Sequence, residues 1–151
     1  MTDKNSTKIR NYILVLSLTV YIISLTQNAI TYNDFDGQKT DSSILLLFMG
    51  GLAIFGGGFF EWFIWLANPL YFIGLFLFFK TRKKSIYFSA TATILALSFT
   101  TWKEILAAEN GRVAKIETLN LGYWLWTISL TLLTIGTIYY FTRMKNTEKE
   151  I

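Results

Sequence analysis

Residues 44–79 read ILLLFMGGLAIFGGGFFEWFIWLANPLYFIGLFLFF and contain a single charged residue, Glu61. Apolar runs of this length are typical of segments that cross a membrane. One continuous helix over the whole range would be about 54 Å long, nearly twice the hydrocarbon thickness of a bilayer. Residues 44–79 must therefore form more than one segment, and the fold depends on which of these segments crosses the membrane.

The rest of the chain has the same apolar character. Of its 151 residues, 52% are hydrophobic and 16% are charged, whereas soluble domains usually carry about 25% charged residues. Further apolar stretches lie at residues 12–30, 86–102 and 121–142. No small-residue cleavage site follows the first of them, so we interpret it as a retained helix rather than a signal peptide.

Charged residues between the apolar stretches predict the orientation. Both tails are more basic than acidic, residues 31–43 are acidic, and residues 103–120 are balanced. The short loop at residues 80–85 carries no acid and four basic residues, Lys80, Arg82, Lys83 and Lys84. Because basic residues collect on the cytoplasmic side, both termini and this loop are predicted to be cytoplasmic. We interpret the four basic residues as an anchor for topology or inner-leaflet lipid, and the net charge of +4 gives no reason to expect nucleic acid as a partner.

This orientation places the acidic loop and the basic loop on opposite sides, so the chain between them crosses an odd number of times. Three successive glycines, Gly56–Gly58, weaken any helix over residues 44–60. Residues 62–79 instead begin with the interfacial tryptophans Trp62 and Trp65 and end at a lysine, as an anchored span does. Residues 62–79 are therefore predicted to cross. The alternative is five spans with one terminus outside.

The chain is thus predicted to be an all-α membrane protein with a single domain over residues 1–151. We expect four transmembrane helices and one Gly-rich segment before the second helix that re-enters the membrane or lies on it. The helices are expected at about residues 12–30, 62–79, 86–102 and 121–142, and the Gly-rich segment at 44–60. Small residues spaced by four in the third helix, such as Ser89 and Thr93, predict close helix packing.

Polar residues in or beside the apolar stretches fall toward the predicted outer leaflet. They are Glu61, Asn68, Gln27, Asn28 and Glu104. One interpretation is an outward-facing polar cup, roofed by residues 44–60, for a ligand, an ion or a lipid headgroup. The structural interpretation is that these groups meet headgroups and water, while Asn68 bonds the carbonyl near Trp65 that Pro69 leaves free.

The residue types present exclude much familiar chemistry. The chain has no Cys and no His, which removes the thiolate nucleophile, the usual general base and the commonest metal ligand. No nucleophile–base pairing, H-E-x-x-H motif or phosphate loop is present. We therefore predict no catalytic residue, no cofactor and no metal.

The motif Trp65-Leu66-Ala67-Asn68-Pro69-Leu70, together with LGYWLW at residues 121–126, resembles short, uncharacterised four-helix proteins of bacterial inner membranes. The resemblance covers about residues 44–136. It implies four membrane helices and a bacterial inner-membrane location, and it implies no activity, cofactor or catalytic residue.

The expected function is that of a non-enzymatic accessory, immunity or sensing protein of the inner membrane, which recognises a partner or lipid at its outer-leaflet face. The alternative is a small oligomeric channel or transporter, in which identical protomers supply the polar lining that the apolar inner half lacks. An enzyme acting on lipids is a third interpretation, which no motif supports. The expected partners are membrane lipids and either a homo-oligomer or a membrane protein.

Overall fold

The computed structural model describes residues 2–106 and 111–149. In this part of the chain the fold is mostly helical, with a four-stranded antiparallel sheet at one end of the helices. In chain order, the elements are α1 (Thr2–Leu25), β1 (Asn28–Asp34), β2 (Gly37–Ser42), α2 (Ser43–Met49), a 3₁₀ helix (Gly50–Gly56), α3 (Phe59–Trp65), α4 (Ala67–Phe79), α5 (Ser85–Ser98), a short 3₁₀ turn (Phe99–Thr101), β3 (Glu104–Leu106), β4 (Val113–Leu119) and α6 (Leu121–Lys149).

Three helical stretches in the described residues are long and apolar enough to cross a membrane: Asn5–Leu25, Phe59–Phe79 and Leu121–Met144. The second combines α3 and α4, which follow one another with only Leu66 between them. The apolar helix Ser85–Thr101 is shorter. Helices of the predicted kind are therefore present at three of the four expected places, and a crossing by α5 stays a prediction.

The all-α prediction is wrong for the two loops that were expected to face outward. These loops form one sheet with the strand order β2-β1-β4-β3. Strands β1 and β2 form a hairpin, and β1 also pairs with β4, where Thr31 lies opposite Thr118. The first helix consequently ends at Leu25 rather than near residue 30, because the chain enters β1 at Asn28.

The end of the helices opposite the sheet carries the basic turn at residues 80–84. Arg10 in α1 donates a hydrogen bond to the Thr81 hydroxyl over 2.8 Å, and its guanidinium lies 5.8 Å from the centre of the Phe79 ring. The beginning of α1 and the end of α4 are therefore neighbours, far along both helices from the strands.

The Gly-rich segment begins and ends at the sheet end of the molecule. At its start, the Ser43 amide donates to the Gln27 carbonyl over 3.0 Å. At its end, Gly57 adopts a left-handed conformation with φ +87, and a Cβ there would lie 3.9 Å from Leu106 of β3. Both ends of residues 43–56 therefore lie at the sheet end of the helices.

Two glycines let this segment lie directly against Trp65. A Cβ on Gly50 would lie 2.6 Å from Trp65 Cδ1, and a Cβ on Gly51 would lie 2.9 Å from Trp65 Cζ2. The indole N–H donates to the Leu47 carbonyl over 2.7 Å. Glycine is therefore required here for close approach of backbone to ring, in addition to its predicted effect on helix propensity.

The small residues of α5 pack inside the molecule, as their spacing predicted. Its buried residues are Ser85, Ser89, Ala92, Thr93 and Ala96. A Cβ on Gly74 of α4 would lie 3.3 Å from the Ser89 amide, so these two helices approach closely. Thr93 and Thr134 share a hydrogen bond of 2.9 Å between α5 and α6.

Asp34 ties the β1–β2 hairpin to the beginning of β4. Its Oδ2 accepts from Lys39 Nζ over 2.8 Å and from Arg112 Nη2 over 3.1 Å, and its side chain is 2% exposed. The bond from Lys39, the bond from the Phe35 amide and the charge of Arg112 hold the pKa of Asp34 below its usual value.

This shift predicts a pH-dependent contribution to the stability of the sheet. A carboxyl with a lowered pKa in the folded state stabilises fully above its unfolded pKa of about 4, and this contribution is lost as pH falls through the folded pKa. Asp34→Asn should therefore lower the thermal unfolding midpoint at pH 7 and have much less effect at pH about 2. Asp36→Asn is the matched control, since the Asp36 side chain is 73% exposed. Equal effects of the two changes at pH 7 would contradict this account.

Candidate functional site

A cavity of about 370 Å³ lies between the sheet and the helix ends that meet it. Its walls come from the end of α1, strands β1 to β3, residues 43–53, the α3–α4 helix and the first turns of α6. The lining is mainly apolar and includes five aromatic residues: Tyr32, Trp65, Phe99, Tyr123 and Trp126. Among the described residues, its charged members are Asp41 and Glu61, both acidic.

Asn68 lines the cavity about 10 Å along the α3–α4 helix from Glu61. Its Oδ1 accepts from the Tyr21 hydroxyl over 2.7 Å and from Trp126 Nε1 over 2.9 Å. Its Nδ2 donates over 3.1 Å to the Trp65 carbonyl, whose usual helical donor is missing because Pro69 has no N–H. The predicted bond across the proline defect is confirmed, and the bonds that join Asn68 to α1 and α6 are additional findings.

Two buried tyrosines, Tyr21 and Tyr71, lie between Asn68 and the interior of the helices. The rings of Tyr21 and Tyr71 stack with their centroids 4.9 Å apart and an interplanar angle of 8°. The Tyr71 hydroxyl lies 2.8 Å from Ser17 Oγ, which donates to the Ser129 carbonyl over 2.8 Å. Because Ser17 has one proton, Tyr71 must be the donor to Ser17. The hydrogen bonds from Tyr71 through Ser17 therefore end at a backbone carbonyl, and ring stacking joins them to Tyr21.

Glu61 is fixed in the cavity wall by the edge of the sheet. Its Oε1 accepts from the Leu106 amide of β3 over 2.8 Å, and the residue is partly exposed. A carboxylate that accepts from a backbone amide is held in orientation by a charge-assisted hydrogen bond. This hydrogen bond therefore joins β3 to α3.

The β1–β2 hairpin supplies the second carboxylate, Asp41. Burial raises the pKa of Asp41, while the hydrogen bond from the Tyr32 hydroxyl and the charge of Lys39 act in the opposite direction. Ser43 follows the hairpin and also lines the cavity. Its Oγ is buried and has no hydrogen-bond partner among the described residues.

Two of the five predicted outer-leaflet residues, Glu61 and Asn68, line the cavity. Gln27 and Asn28 were expected on the first helix and lie beyond its end, Gln27 in the bend and Asn28 at the start of β1. Glu104 is exposed on β3. None of these three is among the lining residues of the described chain, because the unpredicted sheet redirects the backbone at each of them.

The four basic residues of the predicted anchor lie at the opposite end from the cavity. Lys80, Arg82, Lys83 and Lys84 are all exposed. The Lys80 ammonium lies 5.8 Å from the ring centre of Phe76 and 5.7 Å from that of Phe79. Their role as an anchor for topology or lipid stays a prediction.

The fold and the cavity define a helical protein with apolar helices of membrane-spanning length and a sheet over a pocket at one end. No protein-family model, curated protein or solved structure matches the chain. The resemblance of the WLANPL motif to short inner-membrane proteins stays a prediction.

The hydrogen bonds of Asn68 predict that its substitution destabilises the protein. Asn68→Leu should lower the free energy of unfolding by about 2–4 kcal/mol, because one buried and two partly buried partners lose their hydrogen bonds together. Tyr21→Phe is the matched control and should cost about 1 kcal/mol, since Asn68 keeps its other two bonds. Reversible unfolding in mixed detergent micelles measures both. A loss for Asn68→Leu no larger than that for Tyr21→Phe would refute the central role of Asn68.

Proposed function

We propose that the protein is a non-enzymatic binding protein of the bacterial inner membrane. It acts as an accessory, immunity or sensing component and recognises a lipid or a membrane-protein partner at its outer-leaflet face. The observation that carries this proposal is the cavity between the sheet and the helices, which combines an apolar lining with Asp41 and Glu61. Pockets with mostly apolar walls and a few convergent polar groups are typical ligand sites.

In the proposed arrangement, α1, the α3–α4 helix, α5 and α6 cross the membrane, with both termini cytoplasmic and the sheet outside. The separation of the basic turn from the sheet supports this orientation, because basic residues favour the cytoplasmic side. Residues 43–56 then lie in the outer leaflet. Their exposed apolar side chains, including Phe48 and Phe55, suit contact with lipid.

The alternative function, a small oligomeric channel or transporter, requires a lining shared between protomers. In the described part of one protomer, the hydrogen bonds from Tyr71 through Ser17 end at the Ser129 carbonyl, and ring stacking joins Tyr71 to Tyr21, which bonds Asn68. Chemical crosslinking in mild detergent separates the two functions. A discrete symmetric oligomer would support the channel, and a monomer, or a complex with a different protein, would support the accessory role.

Cysteine labelling tests the proposed placement of the cavity, since the chain contains no cysteine of its own. Single cysteines at Asn5 and Lys83 should resist an impermeant maleimide in intact cells, and those at Asp36 and Glu104 should react. All four positions are exposed. Ser85 is unsuitable because it is fully buried and would resist labelling from either side.

Permeabilised cells provide the control, in which all four cysteines should react. Labelling of the Lys83 cysteine in intact cells, with protection at Asp36, would place the cavity on the cytoplasmic side. That result would overturn the proposed function.

A further inference from the structure

We infer that the cavity binds a primary ammonium group attached to an apolar body, either a free alkylamine or the amine headgroup of a phospholipid. This inference rests on the proposed function and names the ligand class of the same site. It is carried by the charge of the lining, by its aromatic rings and by one buried hydroxyl.

The charge of the lining selects a cation. Asp41 and Glu61 approach the cavity from β2 and α3, and no lysine or arginine of the described residues lines it. The whole chain has a net charge of +4, so the acidic lining is not a reflection of overall composition. Lys39 is held by Asp34 over 2.8 Å. A bound anion would therefore face two carboxylates with no lining cation.

The two tryptophans of the lining, Trp65 and Trp126, have no free indole N–H to offer a ligand. The Trp65 N–H already donates to the Leu47 carbonyl, and the Trp126 N–H donates to Asn68 Oδ1. What these two indoles offer a ligand is therefore ring carbon and π surface rather than a free N–H group. Such surfaces attract cations, and they also pack against apolar chains.

Ser43 provides an independent indication of a hydrogen-bonding ligand. The residue is 8% exposed, and its Oγ has no partner among the described residues although it lines the cavity. Buried hydroxyls are normally hydrogen-bonded. A primary ammonium has three N–H donors, which can bond to a hydroxyl as well as to carboxylates. A quaternary ammonium has none, so Ser43 favours a primary amine.

The size of the cavity limits the ligand. A volume of about 370 Å³ lies near the lower end of the range for small-molecule sites. It suits a short alkylamine or a lipid headgroup with its adjoining atoms.

The test uses the full chain in nanodiscs of phosphatidylcholine and phosphatidylglycerol, lipids without a primary amine. Hexylamine, hexanol and hexanoate are titrated by calorimetry, with empty nanodiscs subtracted. Hexylamine should bind at least tenfold more tightly than hexanol, and hexanoate should not bind. Hexyltrimethylammonium should bind more weakly than hexylamine, because it has no N–H donor for Ser43.

Glu61→Gln and Asp41→Asn should each weaken hexylamine binding at least tenfold, and Ser43→Ala should weaken it less. Glu104→Gln is the matched control, an exposed acid outside the lining, and should bind as the unchanged chain does. The unfolding midpoint of each variant is measured in parallel. A folded Glu61→Gln variant with unchanged binding would overturn the inference, as would equal binding of hexylamine and hexanol or no binding of hexylamine.

Nanodiscs that contain phosphatidylethanolamine distinguish the two sources of the amine. If the natural ligand is the headgroup, this lipid should compete with hexylamine and remain bound in native mass spectrometry, and Glu61→Gln should release it. If it does not compete, the ligand is a free amine. Tight binding of hexanol or hexanoate in the cavity would refute the ligand class and leave the proposed function standing, whereas the cysteine labels test that function separately.

Discussion

The pairing of β1 with β4 is the constraint on which the rest of the structure depends. Strand β1 follows α1 and β4 precedes α6, so their pairing holds these two helices side by side at one end. Asn120 reinforces the junction through its amide, which donates to the Ala29 carbonyl over 2.8 Å, and through its side chain, which donates to Thr31 Oγ1 over 2.8 Å. Gly122 allows the close approach, because a Cβ there would lie 2.7 Å from the Asn28 carbonyl oxygen. The cavity is the space that remains between the sheet and the helix ends that it covers.

Asn68 forms hydrogen bonds with the neighbouring helices beside the cavity. A polar group surrounded by apolar helices must satisfy its hydrogen bonds within the protein, and here one amide joins the α3–α4 helix to α1 and α6. The residue that bonds across the proline defect thus also lines the cavity. Trp65 contacts both Asn68 and the Gly-rich segment, since its carbonyl bonds to Asn68 while its ring packs on Gly50 and Gly51.

The helices could be predicted from the sequence because their signal is local. The length of each apolar stretch and the basic residues at its end place α1, α4 and α6, and the Asn68–Pro69 pair predicts its own hydrogen bond. The sheet could have been suspected from Asp36-Gly37, a hairpin turn signal, and from the alternating pattern of residues 113–119. Its pairing joins residues more than 80 positions apart, such as Thr31 and Thr118, and no local pattern specifies that contact. Asp41 and Ser43 reach the cavity only through this pairing, so they were missed, while Gln27 and Asn28 were wrongly placed on the first helix.

Disulfide formation across β1 and β4 tests the central claim most directly, in a chain without native cysteines. Asn33 and Lys115 are register partners in these strands, and partners in an antiparallel sheet lie about 4.5–5.5 Å apart at Cα, within disulfide range. Gln38 and Lys115 lie on opposite sides of β1 and should be about 10 Å apart. Mild oxidation in membranes should join the cysteine pair at Asn33 and Lys115 within one chain and leave the pair at Gln38 and Lys115 open. Absence of the first disulfide, or equally fast formation of the second, would contradict the sheet and with it the cavity.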